Sequence, residues 1–362
     1  MKSIAILFCL ILFSFGLNAQ IVGLDVSEMQ TLKELAVKND TIKNILDDFK
    51  IRAEKAMDEE PNPIEKIDSE GLLAGNPLKV ATLKAVEDVS KVYALAVAYR
   101  LTDQSKYLKK ATDFLLAWAK TNKANGNPIN ETKLEDLIVG YDFIRENIEN
   151  ENRDLIDAWL KTIADAEVNS KYAEPKRGTS KNNWNSHRIK IVTLIAYTIH
   201  DKSYEDFIKS ELEAQIAKNL NPDGSSIDFE DRDALHYHIY DLEPLLQTVI
   251  AINRATGENY YTYQSVSGSS IEKSVKFLAP FVSGEKTHIE FLNSKTAFDK
   301  ARAANNEKGY QPANFKPSTG IYALSLATYF DKIFLEAIKS ASKNGMELNW
   351  QLLLSTVRKP VE

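Results

Sequence analysis

Apolar side chains recur along this chain with the period of an α-helix. Tyr107, Ala111, Phe114, Leu115 and Trp118 fall at i, i+4, i+7, i+8 and i+11, and Leu134, Leu137, Ile138 and Tyr141 repeat the pattern. Ile156, Trp159, Leu160 and Ile163 mark another helix, Phe207, Leu212 and Ile216 one more, and Leu242, Leu245, Leu246, Val249 and Ile250 form a long apolar stripe. Alternating apolar and polar runs, the mark of half-buried strands, are nearly absent. Pro, Gly and Asn break the pattern at Asn62-Pro63, Gly75-Asn76-Pro77, Gly126-Asn127-Pro128, Glu174-Pro175, Asn221-Pro222-Asp223-Gly224 and from Gly309 to Pro317. Between these breaks about ten to twelve helices follow one another, with no linker that divides the chain. Short loops make successive helices antiparallel neighbours, and many such hairpins close into an α/α toroid or stack as a solenoid. No fixed repeat is visible, so the expectation is an all-α toroid forming one domain over residues 20–362.

Residues 1–19 read as an export signal. Lys2 supplies a positive n-region, Ile4 to Gly16 an apolar h-region, and Leu17-Asn18-Ala19 a cleavage site before Gln20. That apolar run is short for a bilayer span, and no later segment approaches the roughly 20 apolar residues that a transmembrane helix needs. A periplasmic or secreted protein without membrane insertion is expected. Cys9, the single cysteine, lies inside the signal and away from the cleavage point, so the mature chain would have no disulfide, no cysteine ligand and no lipid-anchor cysteine. Stability must then come from a core, and about 340 residues can bury a large one.

Composition changes this picture little. The chain is 44% hydrophobic and 27% charged, as a globular domain is. A net charge of −6 without a Lys/Arg cluster argues against a nucleic-acid partner. It does not argue against an anionic glycan, because a Debye length of ~8 Å leaves the local charge of a cleft to decide.

Two polar segments stand out from the apolar patterning: Asn182-Asn183-Trp184-Asn185-Ser186-His187-Arg188, and Arg232-Asp233-Ala234-Leu235-His236-Tyr237-His238-Ile239-Tyr240. Together they hold three of the five histidines. Amides, imidazoles, an arginine and phenols, without a Cys or Ser nucleophile, are the groups needed to neutralise a sugar carboxylate and move a proton, which points to a polysaccharide lyase. On helices, Asn183 and His187 share a face, as do His236 and Tyr240. The Asn-rich turn also suits a helix N-cap. His236-x-His238 has metal-ligand spacing on a strand, but on a helix the two point about 200° apart, so a zinc site is disfavoured. His238 points toward Leu242 and Leu245, where a core histidine is as good an account as a functional one. Arg232, in an acidic run with Asp228, Glu230, Asp231 and Asp233, is open to a surface-pair reading as well as a functional one.

The chain resembles the alginate lyase family and related helical uronate lyases over most of its length. The likeness is carried by Asp88 to Tyr99 with Leu101-Thr102-Asp103, by Leu134 to Gly140 leading into Tyr141-Asp142, by the two polar segments, and by Gly284-Glu285-Lys286-Thr287-His288. In that family an Asn-Asn-His run supplies an asparagine and a histidine at the uronate carboxylate, and an Arg…Tyr-His-x-Tyr run supplies the proton-transferring tyrosine. The resemblance assigns these roles to Asn183 and Tyr240. Trp184 stands at the family's histidine position, and Asp233 at its arginine position with Arg232 one residue before. Asn183-Trp184 is also similar to the Asn-Trp pair of helical chondroitin and hyaluronan lyases, whose tryptophan stacks on sugar.

The C5 proton of a uronate is weakly acidic until the adjacent carboxylate is neutralised, and Asn183, His187 and Arg232 are the candidate donors. Tyr240 is the candidate base, acid or both; with an ordinary pKa of ~10 it calls for nearby cations, Arg232 or a protonated histidine. Trp184, Arg188, His236, Tyr237 and His238 are candidate binding residues for an acidic polysaccharide. No metal or organic cofactor is required. Three alternatives remain: a glycoside hydrolase using two carboxylates from among Asp88, Asp142, Asp228 and Glu230, a non-catalytic glycan-binding protein that stacks sugars on Trp184 and the tyrosines, and a purely structural helical protein, which explains neither polar segment.

Overall fold

The structure, a computed structural model, describes residues 20–342 and 348–361; the signal-like residues 1–19 lie outside them. Seventeen α-helices follow one another there. The first eight are α1 (Val26–Lys38), α2 (Asp40–Met57), α3 (Pro77–Ala85), α4 (Glu87–Thr102), α5 (Ser105–Thr121), α6 (Pro128–Glu131), α7 (Glu135–Ile144) and α8 (Asn150–Val168). Then come α9 (Asn183–Thr198), α10 (Glu205–Asn219), α11 (Ile227–Arg232), α12 (Leu235–Thr256) and α13 (Ile271–Ser283). Four short ones finish the series: α14 (Ala297–Ala304), α15 (Ile321–Ala327), α16 (Leu335–Ala341) and α17 (Trp350–Val357). The apolar stripes read from the sequence fall on α5, α7, α8, α10 and α12. The extra helices beyond ten to twelve are pieces such as α6, α11 and α14 to α17, with four to eight residues each, too short for a 3.6-residue period to show.

Local chemistry sets the boundaries. Both Gly-Asn-Pro breaks begin a helix: Asn76 accepts the amide of Leu78 at 3.0 Å and Asn127 that of Ile129 at 3.1 Å, with the proline in the first helical turn. Packing then arranges the helices in two layers. Helices α4, α7, α9, α12, α15 and α17 contact one another in succession as an inner ring, while α2, α5, α8, α10 and α13 pack outside it. The inner helices are covered on nearly all sides. Every residue of α9 from Asn185 to Thr198 is buried, and so is Val92 to Ala98 of α4. Gly140 on α7 lets two inner helices approach, since a Cβ there would sit 3.1 Å from Tyr93 Cα.

The ring closes through its ends. Helix α1 meets α17, Arg254 on α12 donates to the Ile21 carbonyl at 2.7 Å, and Arg358 donates to the Val22 carbonyl at 2.7 Å. The main cluster of buried apolar side chains runs from Val22 to Val357. The α/α toroid expected from the sequence is the observed architecture. One antiparallel ladder, Ile289–Glu290 with Ala313–Asn314, frames the segment that carries α14. Among the described residues no helix is long and apolar enough to cross a membrane.

Candidate active site

A cleft enclosing about 810 Å3 of open space lies where α9 begins and α12 makes its first turns. Asn182 caps α9 by accepting the Trp184 amide at 3.0 Å, and this turns Asn183 and Trp184 into the cleft. Trp184 is half-buried, with its ring 4.9 Å from that of Tyr172. The amide of Asn183 is held from behind: Asp228 accepts its backbone N–H at 2.8 Å and also its side-chain Nδ2. The Asn-rich turn is thus both helix cap and cleft wall.

Helix α12 is preceded by Ala234, which has no capping side chain. Glu290, from the short ladder, accepts the His236 amide at 3.2 Å instead, and burial pushes its carboxyl up to about 7. From this anchored start His236, Tyr237 and Tyr240 line the cleft. Arg302 on α14 donates to the hydroxyls of Tyr237 at 3.0 Å and Tyr310 at 2.8 Å, and lies over the Phe298 ring. Tyr240 makes no hydrogen bond through its hydroxyl to any described residue. Burial, then Glu70 and Tyr310, push that phenol above its ordinary range, with Arg302 opposing.

Arg232 also faces the cleft, stacked over the Tyr237 ring at 3.8 Å and paired with Asp299. Asp233, at the position where the resemblance puts an arginine, does not line it. Its backbone is left-handed (φ 48°), a conformation Asp tolerates better than most residues, and its carboxylate accepts the backbone amide of Asn293 at 2.7 Å. The cation therefore comes from one residue earlier. Lys79, Lys133 and Arg302 join it opposite a single carboxylate, Glu70.

Three expected residues sit elsewhere. His187 is buried behind Tyr240, ring centroids 4.4 Å apart, with Nδ1 bonded to Thr132 Oγ1 at 3.0 Å and Nε2 without a partner. Burial, then Lys190 and Lys133, hold it well below its ordinary pKa, so the protonated histidine expected beside Tyr240 is a neutral imidazole. His238 is fully buried between Ser226 and the Ser274 carbonyl, at 3.0 and 3.1 Å, and is a core residue because the helix turns it away from the cleft. Arg188 is 4% exposed and ties three helices together, donating to the Glu167 carbonyl at 2.8 Å, to Asn185 at 2.6 Å and to Glu211 at 2.8 Å. It does not reach the cleft.

The hydrolase alternative loses its carboxylates in the same way. Asp88 accepts from the Asn62 amide and Trp118, Asp142 from the Gly23 amide, Asp228 from Asn183, and Glu230 from Asn221. None of the four lines the cleft, which offers Glu70 alone where two flanking acids are required. Ser69, Glu70, Lys79, Lys133, Arg302 and Tyr310 escaped the sequence reading. Their segments carry no periodic or motif signal, although the break from Gly309 to Pro317 marked one of the loops.

An all-α ring with a cationic, tyrosine-lined cleft and no carboxylate pair is the architecture of a helical polysaccharide lyase. The chain belongs to the alginate lyase family, whose model matches residues 37–288. No curated protein matches it by sequence. Among solved structures it is similar to an alginate lyase from Bacteroides ovatus (18% identity, 94% of this chain and 98% of that one, TM-score 0.67). It is likewise similar to alginate lyase A1-III from Sphingomonas species A1 (18% identity, 95% and 97%, TM-score 0.63). A tyrosine-to-phenylalanine variant of A1-III complexed with a tetrasaccharide matches with 18% identity over 74% of this chain and 79% of that one, at TM-score 0.55. At such identities these structures speak for the fold.

Proposed function

We propose that this lyase is exported and cleaves a uronate-containing polysaccharide, alginate or a glucuronan-like chain, by β-elimination. The observation that carries the reading is the cleft itself: Tyr240 with a free hydroxyl, Asn183 tethered beside it, and four cations against one carboxylate in a protein whose net charge is −6. Such a surplus of cations favours a polyanion, and the family's name and the tetrasaccharide complex of a relative agree with it.

In this reading Arg232, Arg302, Lys133 and the amide of Asn183 take up the uronate carboxylate, so that negative charge can develop at C5. Tyr240 moves the proton. The C5–H bond breaks, the C4–O4 bond breaks, a C4=C5 double bond forms and O4 leaves as a hydroxyl, so the proton lost from C5 balances the one O4 gains. The same cations stabilise Tyr240 as the phenolate, which accepts the proton from C5 and, as the phenol so formed, delivers it to O4. His187 backs the Tyr240 ring, and His236 stands one turn before it as a neutral imidazole, held low by its surroundings, Arg232 and Arg302. Trp184 and Tyr237 wall the sugar.

The test is incubation with alginate, glucuronan, hyaluronan and chondroitin while following the ultraviolet absorbance of the unsaturated product. Absorbance growing on alginate or glucuronan is expected. New reducing ends without absorbance would mean hydrolysis, and binding without either product would mean a glycan-binding protein. Export is tested separately, by N-terminal sequencing of the protein recovered outside the cytoplasm, with Gln20 expected first.

A further inference from the structure

We propose that Asp228 is a positioning residue that acts on the reaction through Asn183, an inference that rests on the reading of Asn183 as a receptor for the uronate carboxylate. Asp228 lies on the six-residue helix α11 and is 3% exposed. Its Oδ2 accepts the backbone N–H of Asn183 at 2.8 Å and the side-chain amide of Asn219 at 2.9 Å, and its Oδ1 accepts Nδ2 of Asn183. No cation reaches it within ion-pair distance among the described residues. A carboxylate buried on neutral donors alone is costly to keep and needs a reason.

Capping α9 does not supply that reason in full. Asn182 already accepts the Trp184 amide, and Asp228 needs only one oxygen to take the Asn183 backbone N–H. The second oxygen is spent on the Asn183 side chain. Backbone and side chain of one residue are thereby fixed on the same carboxylate, which locks the amide in a single orientation. An asparagine amide carries two N–H groups. With one on Asp228, the other is left for the cleft that Asn183 lines. Asp228 also stands four residues before Arg232 on α11, so one short helix sets both the amide and the neighbouring cation. Holding a receptor group within a fraction of an ångström of its working position is what a preorganised site requires.

A double-mutant cycle tests this. Initial rates of unsaturated product give kcat/KM for the wild type, Asp228→Asn, Asn183→Ala and the double variant, with thermal melts to show that each is folded. Asp228→Asn should lower kcat/KM by roughly tenfold or more when Asn183 is present, the size that coupling between contacting residues reaches, and by less than about threefold in the Asn183→Ala background. The same loss in both backgrounds overturns the proposal and leaves the lyase reading intact. An Asn183→Ala enzyme with wild-type turnover overturns the proposal together with the role given to Asn183. Should Asp228→Asn fail to fold, Asn219→Ser takes its place in the cycle. It removes one donor from Asp228 and keeps the carboxylate, so a loss confined to the Asn183 background supports the proposal and an equal loss in both overturns it.

Discussion

The cleft and a larger cavity further along the ring share helices and differ in charge. Helix α9 runs from Asn183 in the cleft to Leu194 in the second cavity, about 16 Å at 1.5 Å per residue, and α12 from Tyr240 to Gln247 and Ile250. The second cavity encloses about 1000 Å3 and has the richer aliphatic lining, with Val139, Leu194, Ile250, Leu326 and Leu354 where the cleft has Leu83 and Ile129. Its charges are accounted for within the protein: Arg52 pairs with Asp48 at 2.9 Å, Lys190 with Glu135, and Arg358 rests on the carbonyls of Val22 and Gly23. What it leaves over sums to zero, because Asp136 lines it too and balances the guanidinium of Arg358. In the cleft Arg232 pairs with Asp299 and Arg302 lies 3.8 Å from Glu307, which leaves Lys79 and Lys133 against Glu70, a surplus of positive charge, and a phenol. Volume and apolar lining would choose the wrong cavity for a polyanion; the charges that neighbours do not satisfy choose the right one.

The largest expected effect tests that contrast with one oxygen atom in each cavity. Tyr240→Phe keeps the ring against His187 and removes the hydroxyl, and should cut formation of unsaturated product by 10² to 10⁴-fold, the usual loss of an essential acid or base. Tyr322→Phe removes a hydroxyl that accepts from Gln247 at 3.2 Å in the other cavity, and should leave the initial rate within about twofold, since it deletes one ordinary neutral hydrogen bond. A Tyr240→Phe enzyme that retains more than a tenth of the wild-type rate would move the chemistry to His236 or Tyr237.

A smaller effect is expected from the cations. Arg302→Leu should reduce kcat/KM about 10- to 100-fold, mostly through KM, because a hydrogen bond to a charged group is worth roughly 1.5–3 kcal/mol. Part of this loss comes from releasing Tyr237 and Tyr310, whose hydroxyls Arg302 holds. Asp136→Asn, the matching change of one charge in the second cavity, should leave KM for alginate unchanged. If the two variants shift KM by similar factors in opposite directions, Arg302→Leu upward and Asp136→Asn downward, long-range charge rather than a built receptor governs binding, and raising the salt concentration will erase the two shifts together.

The same contrast shows what a sequence can and cannot disclose. Outer helices such as α5 and α8 bury one face, so their apolar stripes were readable, and the short loops between them gave the toroid. Helix α9 buries nearly every side chain, polar ones included, and its polar start was visible only as composition. Asn183, Trp184, His236, Tyr237 and Tyr240 were legible because they cluster in two short segments on helical spacing. His187 and Arg188 belong to the same segment, yet helix rotation hides one behind Tyr240 and sends the other to Glu211. Arg302, Lys133 and Lys79 come from three separate elements and meet only when the ring closes. Glu290 caps α12 from more than fifty residues away, a contact that no local pattern encodes.

Lys133 gives the smallest effect and the sharpest signature. Its ammonium lines the cleft and donates to the Ile129 carbonyl at 2.9 Å. Burial lowers its pKa to about 8, with Lys79 and Lys190 adding to the fall and Glu70 opposing it. The group is cationic below pH 8 and neutral above. Its attraction for a polyanion is therefore complete near pH 6.5 and lost as the pH rises through 8. The loss should appear as a fall of a few fold in kcat/KM between pH 7 and 9, since that ratio reports the free enzyme, and be weaker in kcat, where a bound carboxylate keeps the ammonium charged. Lys133→Arg should abolish the fall, because a guanidinium stays protonated throughout this range. Asp136, pushed up to about 6 by burial and Glu135 in the other cavity, titrates below this window, and Asp136→Asn should leave the profile as it is. Tyr240, raised well above its ordinary value, titrates beyond the window on the other side. A kcat/KM that stays flat from pH 7 to 9 in the wild type, or that still falls in Lys133→Arg, removes Lys133 from the receptor and leaves Arg232, Arg302 and Lys79 to account for the charge of the cleft.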